Sequence, residues 1–124
     1  MYNSRKLQNS NLVYFLYHMA KRNRNLRSQC PFETAMDIIG SKWKGAILFE
    51  LMKGKRRFSK LKAAIPAISQ RMLTMQLREL EADKLVLRKI YSEIPPKVEY
   101  SLTKAGKTLE PAFLKIREWG KQFI

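Results

Sequence analysis

The sequence predicts a mainly α-helical domain with one small β-hairpin, an α+β class, and three observations predict it. The stretch Ser59 to Leu85 carries two helical signals separated by a proline. Two β-rich runs follow, Val86 to Ser92 and Lys97 to Thr103, with Pro95-Pro96 between them. Helical spacing of apolar residues then returns from Thr103 to Phe123. At 124 residues and 45% hydrophobic composition the chain supports one domain with a real core rather than two. The expected organisation is a basic N-terminal extension over residues 1–29 and a domain over 30–124.

The extension holds six basic residues, no acid and one apolar run, Leu12 to Ala20. That run is too short to span a bilayer, and His18 stands where a small residue would precede a signal-peptide cut. It reads as a short element packed on the domain or a partner, or as upstream sequence if Met19 is the natural start. Packing accounts for His18, the only histidine, better than catalysis or metal binding does.

Cys30-Pro31 opens the next helix, since proline at the first helical position gives up an amide that had no partner anyway. Phe32, Ala35, Met36 and Ile39 recur at helical spacing, and Gly40 stops the run. Cys30 therefore lies at a helix N-terminus with Arg24 and Arg27 upstream, a setting that favours the reactive thiolate. A buried, inert cysteine fits the sequence equally well.

Ser41 is the expected cap of a helix from Lys42 to Met52 with Trp43, Ala46, Ile47 and Leu51 inward, ended by Gly54. Lys55 to Phe58 is a short basic connection with strand character. Ser59 is the expected cap of a helix with Leu61 and Ile65 inward; Pro66 breaks it, and Ser69 caps the next. That next helix gives Leu73, Leu77, Leu80 and the stem of Lys84 to the core. Its other side presents Arg71, Thr74, Met75 and Arg78, with Gln70 at the edge. Arg and Gln make bidentate contacts to base edges, and Thr or Met methyls touch thymine. An ordinary solvated helix face carries similar residues.

The hairpin follows at once, its prolines confined to the tip because they cannot donate to a ladder. Arg88, Lys89 and Lys97 are placed to bring it to phosphates or the minor groove, the alternative being a solvated strand face. Thr103 caps the last helix, whose stripe Ala105, Leu109, Ala112, Phe113, Ile116, Trp119 and Phe123 is interrupted at Pro111, where a kink or break is expected. A three-helix core with a hairpin has limited surface to cover that stripe, the alternative being that it packs entirely within its own subunit. Leu109, Phe113, Ile116, Trp119 and Phe123, joined by Phe32 of the first helix, are therefore assigned to a symmetric dimer interface.

Twenty-five Lys and Arg against ten Asp and Glu give a net charge of +15, which calls for a polyanionic partner. Between Lys42 and Arg71 lie nine basic residues and one acid, Glu50, so the charge is densest beside the reading helix. One cysteine excludes an intramolecular disulfide framework and fits a reducing compartment. No metal-ligand cluster, phosphate loop or cysteine–histidine pair suggests an enzyme, and neither a metal nor a cofactor is expected.

Three helices, a reading helix third, and a hairpin after it make a winged helix-turn-helix. In order and spacing, CPFETAMDIIGSKWKGAILFEL, RFSKL, ISQRMLTMQLRELEADKLV and PPKVEYSLTKAG resemble the HxlR-type family of bacterial and archaeal transcriptional regulators, over Cys30 to about Gly120. The resemblance implies a cytoplasmic homodimer, more often a repressor, that binds an inverted repeat in double-stranded DNA. It implies DNA contacts from Ser69, Gln70, Arg71, Thr74 and Arg78, a backbone contact from Lys97, and a redox or electrophile sensor at Cys30. Two positions depart from the pattern. Lys84 replaces a common glycine, so the turn there must set a lysine in a left-handed conformation or end differently. Met75 on the outer face changes what the operator meets. The alternatives are a nonspecific nucleic-acid binder, architectural or RNA-directed, and a module for an acidic protein.

Overall fold

The computed structural model describes residues 29–124. The Leu12–Ala20 run, His18, Arg24, Arg27 and the alternative start at Met19 lie outside the described residues. The chain parts into two units between Ser41 and Lys42.

In the first unit, helix α1 spans Pro31–Ile39 with Pro31 in its first turn, as the sequence predicts. Cys30 takes the N-cap position with an extended backbone (φ −74°, ψ 118°), and the Gly40 amide closes the last turn on the Met36 carbonyl at 2.7 Å.

The second unit runs α2 (Lys44–Met52), β1 (Arg56–Arg57), α3 (Phe58–Ala64), α4 (Gln70–Ala82), β2 (Val86–Tyr91), β3 (Lys97–Leu102), α5 (Lys104–Lys107) and α6 (Glu110–Gly120), closed by a 3-10 turn over Lys121–Phe123. The three strands form one antiparallel sheet in the order β1-β3-β2. The basic connection is thus a true edge strand, pairing Arg56 with Tyr100 and Arg57 with Glu99.

That pairing corrects one expected cap. Arg57 is held extended (φ −75°, ψ 158°) in the ladder and the chain enters α3 directly at Phe58, so Ser59 falls inside the first turn and caps nothing. A second expected cap moves too, because α2 begins at Lys44 with Trp43 at the N-cap position rather than at Lys42 behind Ser41. The inward face of α2 is Lys44, Ile47, Leu48 and Leu51; Ala46 is exposed. The i, i+3, i+4, i+7 set that includes Lys44 is rotated from the face expected with Lys44 in solvent.

The core gathers Ile47, Leu48 and Leu51 of α2, Leu61 of α3, Ile65 and Ile68 of the turn, and Leu73, Leu77 and Leu80 of α4, closed by Val86, Tyr100, Leu102 and Phe113. Each large aliphatic taken fully from water contributes about 1.5–3 kcal/mol. The core therefore orients α4 by three leucines on one side.

Two backbone features shape the connections. Gly54 (φ 135°) turns the chain out of α2. After α4, Lys84 adopts φ 59°, the left-handed conformation that a glycine would take most easily; it is exposed, so its stem is not part of the core side of α4. Thr103 clasps this turn: its hydroxyl donates to the Lys84 carbonyl at 2.6 Å and accepts from the Gly106 amide at 3.0 Å, capping α5 as expected. Gly106 lies against the Leu85 carbonyl, where a Cβ would collide with the oxygen. The expected interruption appears between α5 and α6, with Pro111 in the first turn of the new helix where its missing amide costs nothing.

Candidate nucleic-acid interface

The turn between α3 and α4 is set by Pro66 and finished by a hydrogen bond from the Ile68 amide to the Ile65 carbonyl at 3.2 Å. Ser69 then starts α4 with its hydroxyl accepting from the Met72 amide at 3.0 Å. One orphan amide is satisfied, and the serine O–H remains a donor toward solvent. With Leu73, Leu77 and Leu80 inward, Gln70, Arg71 and Arg78 stand exposed and Thr74 and Met75 half-buried. Thr74 gives its proton to the Gln70 carbonyl at 2.9 Å, which leaves the hydroxyl oxygen able to accept. The structure thus brings Ser69, Gln70, Arg71 and Thr74 together on the first turns of one helix, with Arg78 on the third turn.

Behind this face lies a pair that hydropathy does not reveal. Lys44 Nζ meets Glu79 Oε2 at 3.1 Å with both side chains about 2% exposed. Lys44 joins α2 to α4 inside the fold and is no part of the basic surface. Lys55, Arg57 and Lys60 of the same stretch are exposed, whereas Lys62 donates to the Pro66 carbonyl at 3.2 Å.

The hairpin is predicted correctly, but its cations are not loose arms. Arg88 Nε lies 3.4 Å from Glu81 Oε1 of α4. Lys97, half-buried, lies 3.6 Å from Glu99 Oε2 and 4.7 Å from the Tyr91 ring centroid, and Lys89 approaches the same ring at 4.7 Å. The Tyr91 hydroxyl donates to Glu99 Oε1 at 2.9 Å. That hydrogen bond first, then Lys97 and Lys55, hold the Glu99 carboxyl below the usual range against an opposing desolvation effect. On the inner face, burial pushes the Tyr100 hydroxyl up, Glu81 adds to the rise, and Arg88 and Arg78 oppose it. Glu81, Tyr91 and Glu99 escaped the sequence reading. For Tyr91 and Glu99 the signal was the cross-strand register, which pairs Lys89 with Glu99 and Tyr91 with Lys97, whereas Glu81 depends on the approach of α4 to β2.

Along the terminal helices Ile116, Trp119 and Phe123 are 54%, 63% and 70% exposed, with the Trp119 and Phe123 rings 4.9 Å apart. Leu109 is half-buried. Phe113 differs from its assignment: it is buried in its own chain, where it closes the core. In the first unit Phe32 is 70% exposed and Cys30 is exposed. Among the described residues no group of three or more His, Cys, Asp or Glu could hold a metal ion, and no helix is long and apolar enough to cross a membrane.

The family described as HxlR-like helix-turn-helix matches residues 38–124. The uncharacterized HTH-type transcriptional regulator YdeP of Bacillus subtilis (strain 168) is 54% identical over 94 residues, which are 76% of this chain and 73% of that protein. The redox regulator HypR in its oxidized form is similar in structure, with a TM-score of 0.72 and 54% identity over 75% of this chain and 96% of that one; its reduced form gives 0.73. The reduced form of the transcriptional regulator YodB from B. subtilis gives a TM-score of 0.68 at 40% identity, covering 77% of this chain and 95% of that one. A winged helix with an outward polar face on α4, matched over most of its length to such proteins, belongs to the HxlR-like helix-turn-helix family of transcriptional regulators.

Proposed function

We propose that this regulator binds an inverted-repeat operator as a homodimer and represses from it. The observation that carries the reading is the division of α4: three leucines and a buried ion pair fix its inner side, while Gln70 and Arg71 on the first turn and Arg78 on the third stand uncovered. Ser69 and Lys97 add backbone contacts, and Thr74 presents a methyl and an acceptor to base edges. The domain responsible is residues 30–124, with residues 1–29 as a basic extension. In the second unit Ile116, Trp119 and Phe123 are exposed apolar side chains that a second copy covers, with Leu109 half-buried, and in the first unit Phe32 is another such side chain.

The test is a titration against a duplex selected from a random pool and against its scrambled counterpart, at several salt concentrations. A specific regulator prefers the selected duplex by about a thousandfold or more. Arg71→Ala should cost about 1–3 kcal/mol of that preference. Equal, salt-collapsing affinities would favour the nonspecific binder that a net charge of +15 also suits.

Redox or electrophile control through Cys30 is the second part of the proposal. It is supported by the exposure of Cys30 at the start of α1 and by similarity to HypR, a redox regulator with oxidized and reduced structures, and to YodB, whose structures include diamide-treated and quinone-bound forms. Diamide or quinone should change the operator affinity of the parent protein. A Cys30→Ser protein that responds identically would remove the thiol from the mechanism.

A further inference from the structure

We propose that Glu81 and Glu99 are positioning residues that fix the direction of the hairpin cations Arg88 and Lys97, and so make backbone contact depend on how the DNA fits. This rests on the DNA-binding reading above. Only ten acids accompany twenty-five bases in this chain, and two of them hold hairpin cations. Glu81 reaches from α4 to Arg88 on β2 at 3.4 Å and so ties the hairpin to the reading helix itself. Glu99 stands in a cross-strand row between Arg57 of β1 and Lys89 of β2, on the outer face of the sheet. Lys97 sits on that same face, two residues along the strand, and is held by Glu99 on one side and the Tyr91 ring on the other. Tyr91 in turn fixes Glu99 by its hydroxyl.

The consequence follows from how charge binds a duplex. A free lysine or arginine finds a phosphate on any sequence and adds to the affinity that all DNA shares. A cation held in one direction and partly neutralised adds little unless a phosphate arrives where it already points. Such an arrangement rewards DNA seated by the base contacts of α4 and penalises every other register. The carboxylates thereby widen the gap between an operator and bulk DNA without touching a base.

The experiment compares the parent, Glu81→Gln and Glu99→Gln on a selected duplex and a scrambled one across a fourfold range of salt. Each released cation should steepen the salt slope on scrambled DNA by about 0.9, so that the affinity gain at low salt exceeds the parent's by about 3.5-fold. The ratio of selected to scrambled affinity should fall. Glu118→Gln is the charge control: it frees Lys121, 2.9 Å away on the terminal helix, and should leave slope and ratio unchanged. Tyr91→Phe loosens Glu99 with no change in net charge and should lower the ratio by itself. Unchanged slopes in both glutamine variants, an equal effect of Glu118→Gln, or a Tyr91→Phe ratio equal to the parent's would overturn the inference and leave the regulator reading intact. A parent that shows no sequence preference overturns that reading and this inference together.

Discussion

Replacing Lys44 by methionine should destabilise this domain more than any surface charge change can. The ammonium and the Glu79 carboxylate are 3.1 Å apart, each side chain about 2% exposed, so solvent does little to screen either. Lys44→Met keeps most of the side-chain volume and removes the ammonium, leaving the Glu79 carboxylate inside the fold without this counter-charge. Removing one partner of a buried pair costs about 3–5 kcal/mol. Taking about 4 °C per kcal/mol as the lower conversion for a domain of this size, the midpoint of melting should fall by about 12 °C or more. Lys44→Met with Glu79→Leu removes both charges and should return close to the parent or exceed it by about 1–4 kcal/mol. Urea unfolding of the parent, both single variants and the double variant, followed by circular dichroism, gives the coupling energy directly. A loss under about 1 kcal/mol in Lys44→Met would mean that the pair behaves as an exposed one, and the burial argument would be wrong. DNA binding supplies an independent check. The double variant should keep the parent's salt slope, because an enclosed ammonium releases no counterion; a slope shallower by about one would show that Lys44 reaches a phosphate.

Three further predictions concern single positions. Ser69→Ala removes the acceptor of the Met72 amide and should lower stability by about 1 kcal/mol in urea unfolding, with operator affinity falling alongside because the cap starts the reading helix. Lys84→Gly should stabilise by up to about 1 kcal/mol, the relief of a left-handed lysine less the added backbone entropy of glycine, while Lys84→Val should destabilise; the reverse order in thermal melts would contradict the assigned backbone. The Glu99 carboxyl titrates lower in the folded chain than in the unfolded one, so its contribution is complete near neutrality and vanishes as pH falls through the carboxylate range. Melting temperatures of the parent and Glu99→Gln should therefore converge between neutral pH and about pH 3, and a gap that stays constant would rule out the Tyr91 hydrogen bond as its source.

What the sequence disclosed was whatever period and punctuation control. Leu73, Leu77 and Leu80 recur at helical spacing, Pro66 and Ser69 mark a turn and a restart, and Pro95-Pro96 can only be a hairpin tip, so α4 and the hairpin appear where they were expected. The recurrence of apolar residues up to Phe123 and the break before Pro111 were equally legible. Lys44 was not, since a buried lysine has the same letter as a solvated one, and misplacing it turned the face of α2 so that Ala46 replaced Leu48. Ser41 and Ser59 are good caps by type, yet a cap is fixed by where the preceding backbone is extended, and at Ser59 that was decided by a pairing with Glu99 far along the chain. Phe113 could not be separated from its neighbours on the stripe, because period alone does not say which apolar residue meets its own core and which awaits a second chain. The held state of Arg88 and Lys97 depends on hairpin register and on the approach of α4 to β2, both of which are tertiary facts.

The pairing of Arg56 with Tyr100 and Arg57 with Glu99 has a consequence for the order of events during synthesis. The whole of α3 and α4 lies within the loop of chain that this pairing closes. The helix that would read DNA is therefore framed by a strand translated after it, and closing so long a loop is slower than winding either helix. A nascent chain halted between Ala82 and Lys97 holds the whole sequence of α4 but lacks β3, the strand on which both other strands pair. Such a chain should carry charge enough to cling to nucleic acid but no means of choosing among sites. The sheet that frames α4 is therefore completed only after both helices have been made, and Phe113, which closes the core, follows later still.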